Sequence, residues 1–187
     1  MKHRFFNLIL ALLIFLILAP LMVLIASLIF LVDREYPIYF SRRIGKDNKS
    51  FEMPKFRTMK STTPQEATHL LEGPENYILS TGLFLRKYSL DELPQIISVI
   101  LGDMVFVGPR PALYNQHDLI ALREEKNINY LKPGITGWAQ VNGRDELSIE
   151  EKVRYDEEYL AKASLGFDIF IIWLTLVKVL KREGVSH

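Results

Sequence analysis

The sequence contains no cysteine and carries almost no net charge. Without cysteine the protein has neither a disulfide framework nor thiolate chemistry, and a chain that faces the cytosol is consistent with this composition. Its 23 basic and 22 acidic residues give a net charge of +1, so the charge predicts no general attraction to polyanions and no nucleic-acid partner. Internal repeats and low-complexity segments are also absent. With 187 residues, the chain is long enough for one domain with its own core.

Three common signatures of nucleotide and metal chemistry are missing as well. The sequence has no glycine-rich phosphate loop and no Rossmann fingerprint. It also lacks the Asp-x-Asp motif with which many nucleotide-sugar glycosyltransferases bind a metal ion. The four histidines are scattered and do not have the spacing of a zinc site. Any chemistry must therefore depend on other residues.

A long apolar run near the N-terminus is the strongest compositional feature. Residues 5 to 32 contain no charged side chain, and about 20 such residues are enough to span the hydrocarbon layer. A signal peptide is one interpretation, but the run is too long and no small-x-small cleavage site follows it. A plain transmembrane anchor is another. Pro20, which follows Ala19 in the middle of the run, removes one helical hydrogen bond and predicts a bend at these two residues.

The charges that flank this run favour a helix that enters and leaves the membrane on one side. Lys2 and Arg4 precede it, and eight basic against four acidic residues lie between positions 33 and 60. Positive charge marks the cytoplasmic side of a membrane segment, and here both ends carry it. We therefore expect a re-entrant membrane helix at 1–32, followed by a cytosolic, interfacial catalytic domain at 33–187.

The rest of the chain predicts a compact, α-rich α/β domain with a short β-hairpin. Strands at 38–41 and 51–57 are joined around the turn-prone sequence GKDN, and a further strand is expected at 104–107. Residues 61–78 and 132–144 are rich in turn formers and are expected to be loops, the second long enough to indicate function. Helices are expected at 82–87, at 112–126, after a capping box formed by Ser148 and Glu151, and at 167–182.

Two of the predicted helices have distinctive apolar faces. One carries a run of apolar residues at the spacing of a buried helical face. These residues are Leu93, Ile96, Ile97, Ile100 and Leu101. The uncharged part of the last helix, 169–177, is too short to cross a bilayer. We expect it to pack on the domain or to lie in the interface, with Trp173 at the depth of the lipid headgroups.

Two adjacent carboxylates, Asp91 and Glu92, precede a helix in the stretch KYSLDELPQ. One interpretation is a capping box formed by Ser89 and Glu92, but Pro94 would then fall inside the helix and lose a hydrogen bond. If Asp91 is the N-cap instead, Pro94 falls at the third helical position, where its missing N–H costs nothing. In either case the helix dipole favours ionised carboxylates. The pair could then bind a divalent cation or attack an electrophile.

Basic residues around the pair indicate that this electrophile is a phosphate. Arg86 lies about one helical turn upstream of the carboxylates, and Arg110 is held extended between two prolines in the sequence GPRP. Arg57, Lys60 and Arg144 lie at strand ends or in loops. A solvated surface charge is the ordinary alternative for any one of these residues.

Five ordered motifs resemble those of the monotopic phosphoglycosyl transferases, the bacterial sugar transferase family, in its small single-domain form. They are KFRTM, LRKYSLDELPQ, LGDMVFVGPRP, KPGITGWAQVNGR and KVLKREGVS, and they follow a basic apolar helix that proline interrupts. The resemblance implies transfer of a sugar 1-phosphate from a UDP-sugar to undecaprenyl phosphate, with release of UMP and with Mg²⁺ as cofactor. It also implies a place on the cytoplasmic face of the bacterial inner membrane, in glycoconjugate or polysaccharide biosynthesis, upstream of further glycosyltransferases.

The resemblance also implies roles for individual residues. Asp91 would be the nucleophile that forms a covalent phosphosugar-aspartyl intermediate, and Glu92 would bind Mg²⁺ or deprotonate the lipid phosphate. Both carboxylates are thus candidate metal ligands. The candidate substrate- and phosphate-binding residues are Arg57, Arg86, Arg110, Gln140, Asn142 and Arg144. Two alternative functions stay open, namely a membrane-anchored binding module in which the pair only caps a helix, and a Mg²⁺-dependent nucleotide-sugar pyrophosphatase.

Overall fold

The computed structural model describes residues 3–64, 73–143 and 146–181 and shows an α-rich α/β fold. A long apolar helix at the N-terminus precedes a domain in which short helices pack around two small sheets. The predicted fold class is confirmed. Part of the segment 61–78, which was expected to be a loop, lies outside the described residues.

The first helix, α1 (His3–Leu28), continues as one π-helical turn over Ile29–Asp33. It ends at Arg34, which adopts a left-handed conformation with φ of 57°. Among the described residues this is the one helix long and apolar enough to cross a membrane. The helix continues through Pro20, so the bend at that residue stays a prediction.

One face of α1 packs against the domain along most of its length. Ala11, Met22, Ile25 and Ile29 are buried. Met22, Ile25 and Ile29 are three and four residues apart, and Ala11 lies about three helical turns before Met22, so all four fall on one stripe. Ala11 belongs to the same core cluster as Met53, whereas the other three belong to a second cluster around Phe56, Leu79 and Leu85. The opposite face of the helix is exposed and apolar. The helix is therefore a packed part of the fold with a bare hydrophobic side.

The predicted hairpin is confirmed. Strand β1 (Ile38–Ile44) pairs antiparallel with β2 (Ser50–Phe56), and Ser41 faces Met53. A 3₁₀ turn at Lys46–Asn48 joins them. β1 extends beyond the predicted end at residue 41 because it also pairs on its other edge with a strand from later in the chain.

That later strand and a second sheet correct two sequence predictions. The expected helix at 112–126 begins only at α4 (His117–Glu125), because β4 (Ala112–Leu113) pairs with β1. The expected loop at 132–144 contains β5 (Gly134–Thr136), which pairs parallel with β3 (Val105–Val107). It also contains a short helix, α5 (Trp138–Asn142). In both segments, strand pairing with residues distant in sequence outweighs the local preference, for helix in the first and for turns in the second.

The remaining helices agree with the prediction more closely. Helix α2 (Gly82–Lys87) has the predicted bounds, and α7 (Leu165–Lys181) covers the predicted last helix with Trp173 57% exposed. Ser148 caps α6 (Ile149–Lys162) in the predicted capping box with Glu151, with the Ser148 amide 2.8 Å from the Glu151 carboxylate.

The buried face predicted for 93–101 is partly wrong. Helix α3 spans only Ile96–Leu101, because Leu90–Gln95 forms a 3₁₀ turn in front of it. Ile96 and Val99 are buried, but Leu101 is 68% exposed. The side of α3 that faces the core carries Ile96, Ser98 and Val99, and Leu101 lies at the surface.

Candidate active site

The carboxylate pair lies in the 3₁₀ turn Leu90–Gln95, between α2 and α3. Ser89 precedes the turn in a left-handed conformation with φ of 52°, and its side chain makes no capping hydrogen bond. The turn begins at Leu90, so Asp91 is not the N-cap either. The structure therefore contradicts both capping interpretations of the pair. Leu90 and Leu93 pack against the core cluster of Phe56, which anchors the turn on either side of the carboxylates.

Glu92 lies at the centre of a group of ionic contacts. Its Oε1 atom accepts a hydrogen bond from Lys55 Nζ at 2.9 Å and contacts a terminal nitrogen of Arg110 at 3.4 Å. The side chains of Lys55 and Glu92 are 15% and 16% exposed. Because water is largely excluded, these contacts are stronger than a surface ion pair.

Asp91 is half-buried beside the same group. Burial raises the pKa of Asp91, and the Glu92 carboxylate raises it further, whereas Lys55 and Arg86 lower it. Arg86 donates from Nε to the Thr58 hydroxyl at 2.9 Å, which fixes its guanidinium. Burial also lowers the pKa of Arg86, and Asp91 opposes that shift. Burial and the second carboxylate thus act against the dipole effect expected from the sequence.

Arg110 is presented by a backbone that is held at three successive carbonyl groups. The Pro109 carbonyl accepts from the Gly134 amide at 2.9 Å, and the Arg110 carbonyl accepts from the Arg123 guanidinium at 2.8 Å. The Pro111 carbonyl accepts from the Arg43 guanidinium at 3.3 Å. Since proline also fixes φ on both sides of Arg110, the segment has little freedom to move.

Arg123 is in turn fixed by a buried carboxylate. Its Nε and one terminal nitrogen lie 2.9 and 2.6 Å from Asp156 Oδ2, and Asp156 is 1% exposed. Burial raises the pKa of Asp156, and the two interactions with Arg123 lower it. A chain of contacts therefore runs from Asp156 on α6 through Arg123 on α4 to the backbone of Arg110.

The structure places the other predicted site residues in different surroundings. Arg57 donates to the Tyr36 carbonyl at 2.8 Å and lies over the Tyr39 ring, away from Glu92. Asn142 donates to the Trp138 carbonyl within its own helix at 2.7 Å. Gln140 has both side-chain polar atoms buried without a hydrogen-bond partner among the described residues. Arg144 lies outside the described residues.

Three residues of the site were missed in the sequence. Lys55 had a usable signal, because the alternation of a strand places it on the same face as the buried Met53, two residues earlier. Arg123 and Asp156 had none, because they lie 33 positions apart and only the packing of α4 on α6 brings them together.

Asp91 and Glu92 are the residues that would hold a Mg²⁺ ion together with the substrate. The described residues contain no group of three or more histidine, aspartate and glutamate side chains arranged for a metal. Magnesium is usually held in enzymes of phosphate chemistry by one or two carboxylates, with water and phosphate oxygens completing its coordination. Asp91 and Glu92 supply that number of carboxylates.

The arrangement is suited to nucleophilic attack on a phosphate. A half-buried carboxylate is less well solvated than one in water and is therefore a better nucleophile. Lys55 and Arg86 act on Asp91, and Arg110 contacts the neighbouring Glu92. Their positive charge attracts a diphosphate and stabilises the charge that develops during transfer. The site could thus form a bond between a carboxylate oxygen and phosphorus.

Comparisons with known proteins agree with this chemistry. The sugar transferase EpsL of Bacillus subtilis is 42% identical over 154 residues, which cover 81% of this chain and 74% of EpsL. The UDP-glucose:undecaprenyl-phosphate glucose-1-phosphate transferase of Escherichia coli is 38% identical over 179 residues, which cover 92% of this chain but only 39% of that protein. The exopolysaccharide production protein ExoY of Rhizobium meliloti is 33% identical over 201 residues, covering 98% of this chain and 88% of ExoY.

The model of one protein family, described as bacterial sugar transferase, matches residues 1–182. The match extends over the apolar helix, the carboxylate pair and the Arg110 segment alike. It therefore covers every described element of the site. The chain belongs to the bacterial sugar transferase family.

Proposed function

We propose that this protein transfers a sugar 1-phosphate from a UDP-sugar to undecaprenyl phosphate and releases UMP. The observation that carries the proposal is the half-buried Asp91 carboxylate, which lies beside Glu92 and near Lys55 and Arg86, with Arg110 in contact with Glu92. The names of the related enzymes from Escherichia coli and Xanthomonas campestris state this reaction for UDP-glucose. The membrane helix supports an acceptor that is itself a lipid.

The first step joins the sugar phosphate to the protein. A carboxylate oxygen of Asp91 attacks the phosphorus that bears the sugar, and a bond to this oxygen forms as the bond from that phosphorus to the bridging oxygen breaks. The bridging oxygen leaves with its electron pair as part of UMP. Lys55, Arg86 and Arg110 neutralise the diphosphate as charge moves onto the leaving group. Bound Mg²⁺ would supply further neutralisation of the phosphate oxygens.

The second step passes the sugar phosphate to the lipid. An oxygen of undecaprenyl phosphate attacks the same phosphorus, and the bond to Asp91 breaks, which restores the free carboxylate and gives a polyprenyl diphosphate sugar. Glu92 would assist as a metal ligand or by accepting the proton of the lipid phosphate. Two steps allow a soluble donor and a membrane acceptor to use one site in turn.

A screen for UMP release tests this function. The purified protein is mixed with Mg²⁺, undecaprenyl phosphate and each of several UDP-sugars. We expect one or a few donors to give UMP over many turnovers only when the lipid is present, and at most one UMP per protein without it. UMP release of the same size without lipid would identify a pyrophosphatase. Binding of a UDP-sugar without any UMP would identify a binding module. Both results would contradict the proposal.

We also propose that α1 is re-entrant and that the domain lies on the cytoplasmic face. Asn7, near the start of the helix, accepts a hydrogen bond from the Phe106 amide at 3.0 Å. Asp33, at its end, accepts from the Ser80 amide and the Thr81 hydroxyl at 2.9 and 2.6 Å. Because one domain contacts both ends, both ends belong on one side of the membrane. The basic residues at both ends favour the cytoplasm as that side.

Cysteine labelling tests this topology, since the wild type has no cysteine. Single cysteines introduced as Lys2→Cys and Asn48→Cys should react with a membrane-impermeant reagent only after the inner membrane is opened. Pro20→Ala removes the residue expected to cause the bend. We expect this change to increase labelling at position 2 in intact cells. If the single-cysteine variants that keep Pro20 are labelled at position 2 but not at position 48 in intact cells, the helix spans the membrane and the re-entrant arrangement is overturned.

A further inference from the structure

A cavity separate from the carboxylate site lies between the start of α1, the segment 130–132 and α7. Its volume is about 570 Å³, within the range of roughly 300–1,000 Å³ that small-molecule pockets occupy. Most of its lining is apolar and includes Phe106, Leu131 and Ile172. The mechanism proposed above uses none of these residues.

Two cations meet at the edge of this cavity. A Cβ atom placed on Gly102 would lie 3.6 Å from a terminal nitrogen of Arg4 and 3.7 Å from Nζ of Lys132. Gly102 has φ of 91°, a conformation that favours glycine, so no side chain fills the space between the two cations. Within the described part of the chain neither cation forms a salt bridge. Two like charges this close repel each other unless an anion lies between them.

The end of α3 does not account for both cations. Positive side chains often lie at the C-terminus of a helix because carbonyl groups there lack partners. Here the Ser98 carbonyl accepts from the amides of Gly102, Asp103 and Met104 at 2.9–3.1 Å. Lys132 donates to the Gly102 carbonyl. Among the described residues, Arg4 donates no hydrogen bond to a carbonyl of α3.

An anion at this position is too far from Asp91 to be the phosphate that reacts. The path from Asp91 to Gly102 follows the 3₁₀ turn and then α3, which rise about 2.0 and 1.5 Å per residue, so the two points lie on the order of 15–20 Å apart. A phosphate bound by Arg4 and Lys132 could not reach the carboxylate. The occupant is therefore a second anionic molecule.

We propose that the cavity binds one anionic phospholipid of the surrounding membrane. Its phosphate lies between Arg4 and Lys132, and part of an acyl chain enters the apolar cavity. Phe6 on α1 and Ile169 on α7 line the same cavity and are 48% and 55% exposed. These two helices carry the largest exposed apolar surfaces of the described chain, so lipid reaches the opening directly. An anionic headgroup and an apolar chain match the basic edge and apolar walls.

Lipid retention in nanodiscs tests the proposal without relying on catalysis. The full chain is reconstituted in nanodiscs of phosphatidylcholine with a minor share of phosphatidylglycerol, transferred to detergent, and examined by native mass spectrometry. We expect the wild type to keep one phosphatidylglycerol molecule. The double variant Arg4→Gln, Lys132→Gln should bind it about tenfold or more weakly, because each hydrogen bond to a charged group is worth about one decade of affinity.

A matched double variant, Lys49→Gln with Arg154→Gln, removes two positive charges from exposed positions outside the cavity. It should retain phosphatidylglycerol as the wild type does. A separate variant, Ala163→Trp, fills the cavity while it keeps both cations, and it should also lose the lipid. Equal retention by all four proteins would overturn the proposal. Displacement of phosphatidylglycerol by one equivalent of undecaprenyl phosphate would overturn it too, since the cavity would then belong to the acceptor.

Discussion

Replacement of Asp91 by asparagine is expected to abolish both turnover and the covalent adduct. An amide has no anionic oxygen with which to form an acyl phosphate, whereas its size and its place in the 3₁₀ turn stay nearly the same. Loss of a nucleophile typically lowers kcat by about four orders of magnitude or more. The adduct is measured by intact-protein mass spectrometry after mixing with donor and Mg²⁺ in the absence of lipid.

Glu92→Gln is the matched control for this variant. It removes the neighbouring charge but leaves the nucleophile, so we expect severely reduced turnover with slow formation of the adduct. Substantial residual activity in Asp91→Asn would rule out the nucleophile assignment. An adduct that appears in the wild type only when the lipid acceptor is present would rule out the two-step mechanism.

The Asp91→Asn variant should also be more stable than the wild type at neutral pH. Because the pKa of Asp91 is raised in the folded protein, the folded state binds this proton more tightly than the unfolded state does. The stabilisation that this tighter proton binding gives is therefore complete below the ordinary carboxyl pKa and is lost as the pH rises through the raised pKa of the folded state. Asparagine does not titrate, so the variant loses no stability in this way. We expect a higher Tm for Asp91→Asn at pH 7 to 8 and a smaller difference at about pH 4, below which Asp91 is protonated in both states.

The second large effect is expected at Asp156. Asp156→Ala leaves the Arg123 guanidinium without its buried partner, and removal of one member of a buried ion pair costs about 3–5 kcal/mol. The free energy of unfolding, measured by urea denaturation, should fall by about that amount. Glu157→Ala on the same helix is the control, because its contact with Lys126 is 3.8 Å long and exposed. We expect that variant to lie within about 0.5 kcal/mol of the wild type.

A double variant separates the effect on stability from the effect on the site. Arg123→Met with Asp156→Leu replaces the buried ion pair by apolar groups of similar size, which commonly restores stability. It does not restore the hydrogen bond from Arg123 to the Arg110 carbonyl. We therefore expect near-normal urea denaturation but a raised KM for the UDP-sugar, because Arg110 is less well positioned. Normal kinetics in a stable double variant would show that Arg123 and Asp156 act only on folding.

Local patterns were sufficient for the elements whose residues interact with near neighbours in sequence. The apolar helix, the β1–β2 hairpin, α2 and the capping box of α6 all follow from periodicity or turn chemistry within a short window. The patterns failed where distant pairing decides. The short strands β4 and β5 form only because β1 and β3 offer edges to them.

The candidate site shows the same division. Asp91, Glu92, Arg86 and Arg110 could be named from the sequence because unusual residue types stand at turns and beside prolines. Their grouping depends on the tertiary structure, which places Lys55 rather than Arg57 at Glu92. Strand alternation puts Lys55 on the face of the buried Met53, but that local signal does not say that Glu92, 37 positions later, lies opposite it.

The backbone around Arg110 has a consequence for binding entropy. Ordering one residue from a flexible loop costs about 1–2 kcal/mol, and a loop that closes on its ligand loses that amount of affinity for each residue it orders. The Pro109–Arg110–Pro111 segment is ordered when the protein folds, through two fixed φ angles and three hydrogen-bonded carbonyls. Only the side-chain torsions of Arg110 are left to be restricted when a diphosphate arrives, so binding through its guanidinium costs little backbone entropy.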